Sequence, residues 1–329
     1  MEFIELLGAM GFTTLVSVKL AGALADKLLT NRLAKDLRQL DLELNQKLAD
    51  HTAKVNMAVN AAKAETEAQL RQEVELVLGE AGAEIAYRAA ARTRLYQALG
   101  PLRFQLLSAS TEWTNRVARF GDKASGTYDI SLQGHFLKST AYRLLRLFAI
   151  AELIERQIAF ADFAVDPDMR ALLKFKRQLS QCFSGNDISQ SHPQEDWNAQ
   201  VQHIFSDTVS TLASSMVVTD VTKGVERVAR LDEFTAILAD PVRASALHPM
   251  PTLMSGFSPA ARPVLWLRML ASSQLCLGLV EAQGTALGLE LQPIDVSRML
   301  ELTEDETIRT RKAEFVDSID KYRRALIAK

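Results

Sequence analysis

Arg243 and His248 stand five residues apart in the run Arg243-Ala-Ser-Ala-Leu-His248. A guanidinium can orient a phosphate, and an imidazole titrating near neutrality can give or take a proton beside it. That pair is the one spacing in the chain that suggests phosphodiester chemistry. Its surroundings argue against it: Arg243 is followed by Ala244, and His248 by Pro249 in a proline-rich stretch. The other histidines, His51, His135, His192 and His203, are scattered. None has a second His, Cys or carboxylate at a repeating ligand spacing, so no metal site is expected. No phosphate loop, dinucleotide fingerprint or nucleophile elbow occurs, and no cofactor is expected. Cys182 and Cys276 lie in apolar helical contexts and read as two buried thiols. Basic residues do not interleave with aromatics, and the formal net charge is −2, so nucleic acid is not an expected partner.

The elements that would carry any such chemistry are helical. Hydrophobic content is 48 % and charged content 24 %, ordinary for a folded protein. Alternating strand-like runs are scarce, which predicts an all-α chain. Three parts follow: an anchor helix over 1–27, a helical stem over 28–83 and a helical-bundle head over 84–329.

Residues 6–25, LLGAMGFTTLVSVKLAGALA, have the length a bilayer core requires and one charge, Lys19. Lys27, Arg32, Lys35 and Arg38 follow this segment, while Glu2 and Glu5 precede it. The positive-inside rule places the stem and head in the cytoplasm, with a single pass through the inner (cytoplasmic) membrane. The competing reading is a moderately apolar helix that packs on protein.

The run 28–78 contains no Gly or Pro up to Leu78 and is rich in Ala, Leu, Lys, Glu and Gln. It predicts a continuous coiled-coil-like helix roughly 75 Å long. Its stripe, Leu37, Leu40, Leu44, Leu48, His51, Val55, Val59, Ala62, Thr66 and Leu70, advances by threes and fours in an eleven-residue repeat. Such a stripe needs cover, and Leu37, Leu40, Leu44, Leu48, Val55 and Val59 are the candidate interface for a homo-oligomer. Gly79 and Gly82 suggest a bend.

In the head, Pro101 should kink or break a helix over 84–120. The segment 130–164 reads as the core helix, with Arg143, Arg146, Glu152, Glu155 and Arg156 as an ion ladder along it. Asp166-Pro167 starts a helix that runs to about Phe183. Amphipathic helices are expected over 194–217, anchored by Trp197, Val201, Phe205 and Leu212, and over 220–239. Five prolines make 240–263 an extended loop. The segment 260–288 is apolar enough to suggest a membrane span, but Arg262, Arg268 and several polar residues favour a buried core helix. Thr303-Glu304-Asp305-Glu306 reads as a capping box opening a C-terminal helix with Ile308, Phe315, Ile319, Tyr322 and Leu326 on one face.

The apolar N-terminus with its charged helix, the segment from Leu95-Tyr96 through Gly100-Pro101-Leu102 to Trp113, and the segment Ser139-Thr140-Ala141-Tyr142-Arg143-Leu144-Leu145 running to Ala161-Asp162-Phe163 together resemble a family of bacterial proteins. Its members are N-terminally membrane-anchored, all-helical and without an assigned activity. The resemblance covers the first half of the chain and implies no catalytic residues. Separately, Arg243 and His248 resemble the R-x4-6-H element of all-helical ribonuclease-like domains. The expected function is a membrane-anchored scaffold that recruits a protein partner without catalysis. The alternatives are a helical nuclease using Arg243 and His248, and a soluble coiled-coil adaptor.

Overall fold

The computed structural model describes residues 33–53, 67–121, 134–158, 168–222 and 224–327. Among these residues the chain is all-α apart from one two-stranded hairpin. It divides into two compact units, one taking in Met1–Pro101 and the other Leu102–Ala159 with Pro167–Lys329. The apolar segment 6–25 and the stripe residues Val55 and Val59 lie outside the described residues.

In the N-terminal unit, helix α1 is described over residues 33–53 and helix α2 is Glu67–Ala118. The side chain of Arg92 on α2 lies 3.7 Å from that of Asp36 on α1. A straight helix would hold those two residues roughly 80 Å apart. The run therefore doubles back, and the single rod expected over 28–78 is not what forms. A solitary helix of that length leaves its apolar stripe in water, and folding one half beside the other covers part of it. Leu33, Asp36, Leu40, Leu44, Leu48 and His51 make a half-buried stripe on α1.

Helix α2 passes through Gly79, Gly82 and Pro101 without interruption. Neither glycine breaks it: each costs about 1 kcal/mol relative to alanine, too little to stop a helix flanked by Leu, Glu and Ala. Pro101 falls where the two units divide.

The C-terminal unit is built around α9, Pro263–Gln283. Every residue from Pro263 to Val280 is buried. By length and composition α9 is capable of crossing a bilayer, yet its apolar stretch is wholly enclosed by the head. It is the core helix expected for this segment. Several of its buried polar side chains have partners, although Gln274 Oε1 and Arg268 Nε are left without one among the described residues. Ser272 accepts from Trp113 Nε1 at 2.9 Å, Trp266 Nε1 donates to the Met299 carbonyl at 2.9 Å, and Gln274 Nε2 donates to the Ile294 carbonyl at 3.3 Å. Satisfying these groups is what allows them inside.

Helix α3, His135–Ile158, and α4, Asp168–Ser184, pack in the same core, with Phe148 edge-on to Phe183 at 5.5 Å. α3 is strongly buried, but α9 is the more enclosed, so the expected core helix over 130–164 is one of two. Helix α12, Lys312–Ile327, lies so close to α9 that a Cβ at Gly278 would meet the Arg323 carbonyl oxygen at 2.6 Å. Glycine is required there for backbone contact. Arg323 forks onto Glu281 across the same seam.

Between α4 and α12 the sequence expectations need correction in three places. Residues 193–205 are irregular, and only α5, Ser206–Ser215, is helical in 194–217. Leu212 is buried as an anchor, but Trp197, Val201 and Phe205 are 41 %, 48 % and 40 % exposed. The expected helix over 220–239 is instead a hairpin, β1 Val217–Asp220 and β2 Val225–Val228, followed by α6, Leu231–Ala239. Val217 pairs with Val228, and Gly224 takes a positive φ of 63° at the turn, where only glycine is unstrained. The stretch 240–263 holds two short helices, α7 Pro241–Ser245 and α8 Met250–Met254. Pro241 opens α7 beneath an Asp240 cap, and Pro263 opens α9. At such positions proline has no helical hydrogen bond to lose and starts a helix.

Near the C-terminus, α10 is Val296–Leu300 and α11 is Glu306–Thr310. Asp305, not Thr303, caps α11, accepting from Ile308 N at 3.0 Å. Ile308, Phe315, Ile319, Tyr322 and Leu326 are all buried, as their spacing predicts.

Candidate functional site

Three groups of residues carry the chemistry. The first is the stem stripe. Leu40, Leu44 and Leu48 are half-buried on α1, whereas Leu37 is 50 % exposed, because Asp36 takes its place in the stripe and faces Arg92. Leu42 is 66 % exposed on the same helix, and Val77 and Tyr87 on α2 are 37 % and 61 % exposed.

The second is the pair from the sequence, Arg243 and His248. Arg243 sits on α7 and His248 in the turn that follows, both exposed. Their neighbourhood is made of short capped turns. Asp240 Oδ1 accepts from Val242 N at 2.9 Å and Arg243 N at 3.3 Å. Nothing encloses a substrate between them in the described residues, and general acid–base catalysis needs such a setting.

The third group is one the sequence did not reveal. Arg268, in the middle of α9, is fully buried. Its guanidinium donates to the carbonyl oxygens of Cys182 at 3.2 Å and Gly185 at 2.7 Å, and to Glu195 Oε2 at 2.8 Å. It thereby supplies the positive charge that the C-terminus of α4 lacks in its own last turn. Glu195 Oε1 lies 2.9 Å from His203 Nδ1, off the direction of a hydrogen bond. His203 is enclosed by Trp197 at 4.6 Å and Phe205 at 4.8 Å between ring centroids. Burial holds its imidazole below the ordinary value, while Glu195 pulls the other way. The ring is therefore neutral at pH 7, and Glu195 is left to Arg268.

Around this group the whole segment 185–205 is stitched down. Gln202 Oε1 accepts from Val264 N at 2.9 Å at the start of α9, and Ile204 N donates to the Phe183 carbonyl at 3.0 Å. His192 Nε2 meets Asp305 Oδ1 at 3.0 Å, and Tyr322 donates to Asp187 at 2.9 Å. The arrangement fastens an irregular strap to the core. Its acid and base face protein, so it binds structure and not substrate.

The thiols of Cys182 and Cys276 are free and buried. Burial pushes both up, Cys276 to about 12, so neither is a nucleophile at pH 7. Among the described residues no cluster of three or more His, Cys, Asp or Glu is placed to hold a metal.

Compared with family models, with curated proteins and with solved structures, the chain matches none.

Proposed function

We propose that the protein is a membrane-anchored scaffold that recruits a partner at the cytoplasmic face of the inner membrane. In this reading residues 6–25 form a single-pass anchor, the stem associates with a second copy of the chain, and the helical head presents the recruited partner. The observation that carries it is apolar surface in the N-terminal unit. Leu37, Leu42, Val77 and Tyr87 stay exposed on α1 and α2. Large apolar side chains left in water along two neighbouring helices favour an association site. Segment 6–25, with its acidic leading flank and basic trailing flank, supplies the anchor and its orientation.

The anchor is tested by fractionating cells that express either the full chain or a chain beginning at Thr30. The full chain should resist carbonate and require detergent, while the shorter one should be released. A full chain extracted by carbonate alone would refute the anchor and leave the soluble adaptor.

A further inference from the structure

His203 is fully buried, and neither of its ring nitrogens has a hydrogen-bond partner among the described residues. A neutral imidazole carries one N–H to satisfy, and an imidazolium carries two. The charged groups that face the ring are Glu195 and Asp196 of its own segment and Arg268 of α9. Glu195 is already engaged. Its Oε2 accepts from Arg268 at 2.8 Å, while its Oε1 lies 2.9 Å from His203 Nδ1. One buried carboxylate thus stands between a permanent cation and a ring that can become one. Asp196 is exposed and accepts from Asn198 N at 2.9 Å, so water screens its share. A proton taken from solvent onto His203 leaves the buried group with two positive charges and one negative. Such an excess is costly out of water, and admitting water relieves it.

The fastenings of the strap decide where water enters. Asp187, Gln190 and His192, in its first part, are tied to Tyr322, Arg311 and Asp305. None of those contacts involves His203. Residues 193–205 are held differently: Glu195 by Arg268, Gln202 by the Val264 and Leu265 amides, and Ile204 by the Phe183 carbonyl. Trp197 and Phe205, which cover the imidazole, are themselves partly exposed. An irregular segment of this kind opens at lower cost than the buried helix it rests on.

We propose that residues 193–205 form an acid-released latch: protonation of His203 draws Glu195 from Arg268, and this part of the strap lifts from α9 while residues 185–192 and the core stay in place. Release uncovers the first turn of α9, whose Val264 and Leu265 amides Gln202 accepts from in the closed state. It also frees Trp197, Val201 and Phe205 to turn toward solvent. Burial, the largest cause, holds the closed ring below its ordinary value of 6.5, which the ring regains once the latch is open. Between those two values the open fraction grows about tenfold for each unit of pH lost.

The test is hydrogen exchange on the full chain in detergent from about pH 7.5 to about pH 5, corrected for the intrinsic pH dependence of exchange. In wild type, protection over 193–205 and at Val264 and Leu265 should fall about tenfold per pH unit once the pH drops below 6.5. The rest of α9 and the amides of 186–192 should keep theirs. In His203→Phe, which keeps a ring between Trp197 and Phe205 but takes no proton, the same amides should show no such loss. His203→Gln, smaller and also without a titrating group, should behave alike, and circular dichroism confirms that each variant is folded. Wild-type protection that holds to the lowest pH, or that is lost together with the whole of α9, overturns the proposal. So does a loss in either folded variant that follows the wild-type pH profile.

Discussion

Helices α1 and α9 both carry a leucine-rich sequence, yet they meet opposite fates. No residue of α1 over 33–53 is buried, whereas α9 is buried without a break from Pro263 to Val280, Arg268 included. The difference lies in what surrounds each helix and not in apolar content alone. α1 alternates its leucines with charges on every turn and presents one narrow stripe, which α2 can cover only in part. α9 is apolar all round and takes partners on every side, including close backbone contact with α12 at Gly278. A helix with one stripe is stable only when another chain segment completes it. A helix without a polar face must be the centre of something.

The largest effect expected from this contrast is at Arg268. Arg268→Ala leaves Glu195 buried and unpaired and strips the charge from the end of α4, so the head should lose about 3–5 kcal/mol in denaturant unfolding. Replacing both partners, Arg268→Met with Glu195→Leu, should recover much of that loss, because an apolar pair of similar size has no buried charge to compensate. Equal stability of the single variant and wild type would break the claim that the head depends on this ion pair.

A smaller effect sharpens the same point. Folding holds the His203 imidazole below its ordinary value of 6.5, with burial the main cause. The folded head therefore binds fewer protons than the unfolded chain. Its contribution is complete above pH 6.5 and is lost as the pH falls from there through the lower folded-state value. His203→Phe keeps a ring between Trp197 and Phe205 but cannot titrate. Unfolding free energy measured from pH 7.5 down to about pH 5 should fall less steeply in the variant than in wild type. Parallel curves would contradict the assignment.

The smallest effect is at His248. It is exposed and outside the packed core, so His248→Ala should change thermal stability by no more than about 0.5 kcal/mol and leave function intact. A folded His248→Ala protein that has lost function would revive the nuclease reading.

What could be read in advance follows the same division. Period and composition were enough for α9 as a buried helix, for the buried face of α12 and for the two inert thiols, since each depends on which residues recur at helical spacing. The hairpin was missed although Val217, Val218 and Thr219 are β-branched and Gly224 marks the turn. Its strands are only four residues each, too short for a periodic signal. The prolines of 240–263 read as breakers because their role depends on position: with Asp240 before it, Pro241 is a helix start. The Arg268–Glu195–His203 group leaves no local trace. Its members are brought together by α9 and the strap, and only the oddity of an arginine in an apolar helix pointed toward it. The doubling back of the stem was equally silent, because good helix formers on both sides say nothing of where a chain reverses.

The central claim is that the half-buried stripe of the N-terminal unit is completed by a second copy of the chain, while the head is complete in itself. Light scattering on the chain beginning at Thr30, wild type against Leu40→Asp with Leu44→Asp, tests it most directly. Carboxylates placed in a covered stripe are costly when unpaired. The wild-type chain should be a reversible dimer and the double variant a monomer, with circular dichroism and head stability unchanged. A wild-type chain that stays monomeric at high micromolar concentration with its stem helices intact would contradict the account.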